Sequence, residues 1–162
     1  MKKQDGFATL EVVLVTAIIS TLAFVAVPKI DRIMDKLFLD YEVKRFCSEV
    51  DFASSLNRSA SVNTTIFSQK VDKTDTEIEI DINKKSNSYQ LRRNTEYLRE
   101  PHYLSAGVKI SFSPVAMEHI KFKAGGGYNG DSGRVILTSR RGEKAEIIFD
   151  SVGRWRGSRD VD

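Results

Sequence analysis

Between Phe7 and Pro28 the chain carries one ionisable side chain, the carboxylate of Glu11. An ionised carboxylate inside a hydrocarbon layer costs about 2.5–3.5 kcal/mol, so an acid in such a run calls for a cationic partner. No Lys or Arg occurs between Phe7 and Pro28, and the partner must therefore come from another chain or another part of an assembly. A second stretch with binding chemistry is G-R-W-R-G-S-R at 153–159, where Arg154, Arg156 and Arg159 occur with no acid among them. Guanidinium forks match phosphate bidentately, and an exposed Trp155 would offer a stacking face to a base. If the segment is a strand, alternation places Arg154 and Arg156 on one face and Trp155 on the other, which favours phosphate contact over stacking. Arg134, Arg140 and Arg141 on the preceding hairpin would extend the patch if the strands are adjacent. The competing reading is a final edge strand whose arginines block edge-to-edge pairing while Trp155 packs inward.

Other reactive residue types are sparse. His102 and His119 stand seventeen positions apart, without metal-ligand or acid–base spacing, and read as surface or strand-edge residues. Glu77 and Glu79 alternate on one strand face and read as solvated. Cys47 is the single cysteine, which excludes an internal disulfide and any Cys-rich zinc site; beside an apolar stripe it reads as a small buried hydrophobe. The motifs G-x-S-x-G and H-E-x-x-H are absent, and no helix opens after Gly125-Gly126-Gly127 to make a phosphate cradle. The expectation is a non-enzyme with no cofactor and no metal.

These residues are carried by elements that the hydrophobic pattern separates clearly. The length of 162 residues fits one globular domain, and 29% charged with 41% apolar residues excludes a disordered or polytopic chain. A formal charge of +3 is too small to imply nucleic acid or membrane-surface binding without a local patch. Residues 7–28 make a helix about 33 Å long, enough for a hydrocarbon core of roughly 30 Å. Lys2 and Lys3 in the leader 1–6 orient it with the leader cytoplasmic and the rest of the chain across the membrane. Residues 29–60 continue as an amphipathic helix to about Ser59. Its apolar stripe is Ile30, Ile33, Met34, Leu37, Phe38 and Tyr41, then Phe46, Val50, Ala53 and Leu56, read as core packing. Asp31, Arg32, Asp35, Lys36, Lys44, Arg45 and Glu49 read as its solvated face.

From 61 to 162 the period becomes two, with strands expected at 64–70, 76–82, 88–93, 108–113, 119–123, 134–139, 145–150 and 152–156. Short strands without intervening helices imply antiparallel sheets. The expected class is α+β: a long N-terminal helix packed on an antiparallel sheet or sandwich.

The segment G-F-A-T-L-E-V-V-L-V at 6–15, with Pro28, resembles the N-terminal signal of type IV prepilins and type II secretion pseudopilins. The ending at 132–156, with its G-R-x-R, is similar to the GspH/FimT group of minor pilins and pseudopilins. The resemblance implies cleavage by a prepilin peptidase between Gly6 and Phe7, N-methylation of Phe7, and assembly with other pilins through Glu11, which pairs with the ammonium of a neighbouring Phe7. Pro28 stands where that family usually has a helix-kinking proline. It further implies, as the alternative function, capture of double-stranded DNA through Gly153, Arg154 and Arg156. The residues alone also leave open a plain signal-anchor helix whose Glu11 snorkels to the interface.

Overall fold

The computed structural model describes residues 5–66, 77–123, 126–151 and 153–159. Helix α1, Asp5–Ile66, contains Pro28 and continues through it. It outlasts the expected end near Ser59, and residues 64–66 of the first expected strand belong to it; 67–70 lie outside the described residues. Thr64-Thr65-Ile66 looks strand-like because it is β-branched, but such residues cost a helix under about 0.7 kcal/mol each, and extending a formed helix needs no new nucleus.

The strands are β1 Ile78–Asn83, β2 Ser88–Arg93, β3 Glu96–Tyr97, β4 His102–Tyr103, β5 Lys109–Ser113, β6 His119–Lys121, β7 Gly133–Thr138, β8 Lys144–Phe149 and β9 Trp155–Arg159. They form two antiparallel sheets. The first has the order β3-β2-β1-β6 with β4 also on β2, and the second has the order β5-β7-β8-β9. Since β6 returns to the first sheet between β5 and β7 of the second, the two sheets are interlocked by the chain. The expected α+β class, a long helix on antiparallel sheets, is what the chain adopts. The two-residue strands β3 and β4 fall below the length at which a period-two signal can be read.

Alternation decides what each strand buries. Ile78, Ile80 and Ile82 of β1, Val135 and Leu137 of β7, and Ala145, Ile147 and Phe149 of β8 all point inward. They meet Leu39, Phe46, Val50 and Ala53 of α1, and the Phe46 ring stands edge-on to Tyr89 at 5.0 Å. The helix lies against β1, β7 and β8, so both sheets share one core with it.

Candidate functional site

The apolar part of α1 packs on nothing else in the described chain. Apart from Leu39, which is buried, the large hydrophobic residues from Leu10 to Tyr41 are 36–84% exposed, and Glu11 is exposed among them. The hydroxyls in this run turn back on the helix: Thr16 Oγ1 donates to the Val12 carbonyl at 2.9 Å and Ser20 Oγ to that of Thr16 at 2.7 Å. That satisfies them without water, as a helix in hydrocarbon requires. Among the described residues, one helix is long and apolar enough to cross a membrane, and it is this one. Gly6 and Phe7 lie in its first turns.

The stripe Ile30, Ile33, Met34, Leu37, Phe38 and Tyr41, expected to pack the core, is exposed. The face turned to the domain is instead Asp31, Asp35, Leu39, Glu42, Phe46, Val50, Ala53 and Asn57, spaced four, four, three, four, four, three and four. This spacing is a helix face by geometry, but half its members are polar, so a hydrophobic pattern does not reveal it. The polar members are held from the domain side. Arg140 Nη2 lies 3.0 Å from Asp31 Oδ2 and Arg141 Nε 2.9 Å from Asp35 Oδ2. Glu42 is fully buried; its Oε1 accepts from Ser105 N at 2.8 Å and Ser105 Oγ at 2.5 Å, and its Oε2 lies 2.8 Å from His102 Nε2. Asn57 Nδ2 donates to the Phe122 carbonyl at 2.5 Å. Beside the seam, Glu49 meets Arg99 at 3.2 Å. Asp31, Asp35 and Glu49, expected on a solvated face, thus bind the domain to its stem, and His102 sits on a short edge strand as a seam residue.

The arginine strand is β9, paired only with β8 among the described strands. Trp155 lies opposite Phe149 and packs against the core, while Arg156 lies opposite Ile148 on the outer face. Gly157 faces the stem, where an added Cβ would stand 3.9 Å from Cys47 Sγ. Arg154 is 79% exposed, and its Nε lies 3.2 Å from Asp150 Oδ2. Arg134 shares the row of Ile148 and Arg156 across the sheet, but its Nη1 is 3.2 Å from Glu146 Oε2. Arg140 and Arg141 lie in the β7–β8 turn, at the opposite end of β8 from Arg154, so they do not join that patch. The side chain of Arg159 lies outside the described ones. Ile148, Asp150, Arg154, Trp155 and Arg156 line a shallow depression of about 400 Å³.

A third cluster was not anticipated. On the outer face of the first sheet Glu79, Asp81 and His119 bring ligand atoms within 4.8 Å of one another. Glu79, expected to be solvated, is buried, because Arg92 covers it with a hydrogen bond and reaches Asp81 through Nε at 3.3 Å. Lys121 Nζ stands 3.3 Å from Glu77 and 3.9 Å from Glu79, and His119 Nδ1 lies 2.5 Å from Asp81 Oδ1. The hydrogen bond that Arg92 donates to Glu79 raises the Arg92 pKa, so that guanidinium stays charged. With Arg92 and Lys121 among the acids, the cluster is a compensated ion network across three strands rather than a vacant set of metal donors.

No family model matches the chain, and no curated protein does. Among solved structures it is similar to the minor pseudopilin EpsH from the type 2 secretion system of Vibrio cholerae. The TM-score is 0.48 and the identity 10%, over 71% of this chain and 94% of that one.

Besides the Glu79 cluster, sequence reasoning missed the polar residues of the seam. One signal pointed to them: Asp31, Asp35, Glu42 and Glu49 repeat at helical spacing along one side, a row of acids whose counter-charges lie far off in sequence.

Proposed function

We propose that the chain is a prepilin-like filament subunit of the minor pilin or pseudopilin type. In this reading a prepilin peptidase cuts between Gly6 and Phe7, and the new terminal Phe7 is N-methylated. Residues 7–28 then hold the protein as a single pass in the inner membrane, with the β-domain on the periplasmic side. Other pilins or pseudopilins pack against the stem when the subunit enters a type IV pilus or a type II secretion-type filament. The observation that carries this reading is the stem itself: an exposed apolar helix with one carboxylate, Glu11, whose apolar surface continues past Pro28 as the exposed stripe from Ile30 to Tyr41. A lipid anchor alone accounts for residues 7–28. A stripe running about 20 Å further along the helix, on the side away from the domain, suits packing between stems.

Glu11 is the register element of that packing. Buried among apolar stems, its charge is tolerable only opposite a cation, and the free ammonium of a neighbour's Phe7 supplies one. Co-expression with a prepilin peptidase, followed by mass spectrometry of the membrane-extracted protein, is expected to find a mature chain beginning at N-methyl-Phe7. Glu11→Ala is expected to be processed normally but to be depleted from filaments; normal incorporation would remove Glu11 from the docking role. An uncut chain would point to a plain signal anchor.

Capture of double-stranded DNA through Arg154 and Arg156 is the weaker reading. Trp155 packs inward, and Arg140 and Arg141 lie at the opposite end of β8 from Arg154, so they do not extend the patch.

A further inference from the structure

The β7–β8 turn is tied to the stem at a height that the membrane span sets. Arg140 contacts Asp31 and Arg141 contacts Asp35, across 109 and 106 residues of sequence. At 1.5 Å per residue, Asp31 lies about 4.5 Å beyond Pro28 and Asp35 about 10.5 Å. A bilayer of roughly 40–45 Å around a core of about 30 Å leaves about 5–7 Å of headgroup on each side. If the apolar run fills the hydrocarbon, Arg140 at Asp31 stands within the headgroup layer and Arg141 at Asp35 about 3–6 Å outside it, a gap that a long guanidinium side chain spans.

The charge at that level fits the same neighbour. Lys29, Arg32, Lys36, Arg140, Arg141 and Lys144 face three acids in the same two segments, Asp31, Asp35 and Glu143. Six cations against three acids make +3, the formal net charge of the whole chain, so the rest of the protein is balanced. The ion pairs do not use these arginines up. Arg140 is 61% exposed and Asp31 56%, a setting in which an ion pair is weak, and a guanidinium has five N–H donors, enough for a carboxylate and a phosphate together.

We propose that the β7–β8 turn, through Arg140, Arg141 and Lys144, docks on the phosphates of anionic phospholipids while residues 7–28 span the bilayer. The contact holds the β-domain down in one orientation until the subunit is extracted. It rests on the membrane-anchor reading given above, and it assigns the two arginines a second partner beyond the stem.

The test uses the full chain with Cys47→Ala and a fluorophore on Ala106→Cys. Ala106 is exposed and precedes Gly107, where an added Cβ would stand 3.2 Å from Arg140 Cβ. The control label is on Lys123→Cys, next to Phe122, whose carbonyl meets Asn57 about 44 Å along the helix from Pro28. Each is reconstituted in vesicles of phosphatidylcholine with or without phosphatidylglycerol, both containing a headgroup-level quencher lipid. The expected result is quenching at 106 and none at 123. Quenching at 106 should be stronger with phosphatidylglycerol, and should weaken in Arg140→Gln/Arg141→Gln and near 1 M salt, where the screening length falls to about 3 Å. Failure of the chain to float with vesicles would overturn the anchor reading and this proposal together. Floating without quenching at 106 would overturn the docking alone. Quenching at 106 that ignores lipid charge and salt would also overturn it, since the turn would then be near the surface without binding phosphate.

Discussion

Burial sets the chemistry of Cys47. The thiol packs against the core, and burial, helped by the Asp51 charge, pushes its pKa up to about 11 from an ordinary 9.0. Raising the pKa of an acid disfavours its anion, and the thiolate is the nucleophile, so at pH 8 the folded chain should alkylate far more slowly than the unfolded one. Its rate should still be climbing past pH 10; a plateau near pH 9 would place the thiol in water. Gly126 is a residue whose identity the backbone imposes. It has φ +89° and accepts a hydrogen bond from Ser54 Oγ, and an added Cβ would stand 2.7 Å from the Ser54 carbonyl. Gly126→Ala is expected to destabilise the chain by about 1–3 kcal/mol, read as a lower urea midpoint in detergent. An unchanged midpoint would mean that this loop does not rest on α1.

The element that organises the molecule is the domain-facing side of α1 from Asp31 to Asn57. Its middle is apolar, and its ends and its Glu42 position are polar and paired. Exposed pairs such as Asp31–Arg140 contribute little, about 0–1 kcal/mol each, and chiefly fix orientation. Glu42 is different because it is buried and accepts from both Ser105 groups. Glu42→Ala would leave partly buried donors without their acceptor, at about 1–3 kcal/mol for each group stranded. Glu42→Gln is expected to be milder: one oxygen still accepts from Ser105, while the amide donates to His102, which can present an acceptor nitrogen. Equal urea midpoints for the two variants would show that the seam does not depend on this carboxylate. The hydrophobic period found the helix and its second-half core positions, Phe46, Val50 and Ala53, but assigned Ile30 to Tyr41 to the same core. Periodicity reports that a face is apolar; it does not say whether the cover comes from the chain's own domain or from elsewhere.

For the whole molecule, the salt dependence of duplex DNA binding separates a filament subunit from a DNA receptor. Each phosphate neutralised contributes about −0.9 to the slope of log affinity against log salt. We expect the full chain in detergent to show no retention of duplex DNA at roughly 150 mM salt, where the Debye length is about 8 Å. Measurable binding with a slope near −2 that is abolished by Arg154→Ala/Arg156→Ala would restore the DNA reading. The sheets follow the same division between local and distant information. β2 and β5 to β8 lie within one or two residues of the expected strands, because alternation and turn residues are local. β9 is expected at 152–156 but runs from Trp155 to Arg159, which leaves Arg154 ahead of it, since pairing with β8 sets its bounds.

By itself the sequence determined the apolar stem with its lone Glu11, the change of period from helix to strand, and the class of fold. Each follows from residue type and spacing within a few turns of chain. Only the tertiary structure decided which side of the stem meets the domain, that Glu79 and Glu42 are buried, and that Arg140 and Arg141 belong to the stem rather than to the arginine strand. Those outcomes depend on partners up to 109 residues away, and a charge does not disclose from its own position which opposite charge the fold will bring to it.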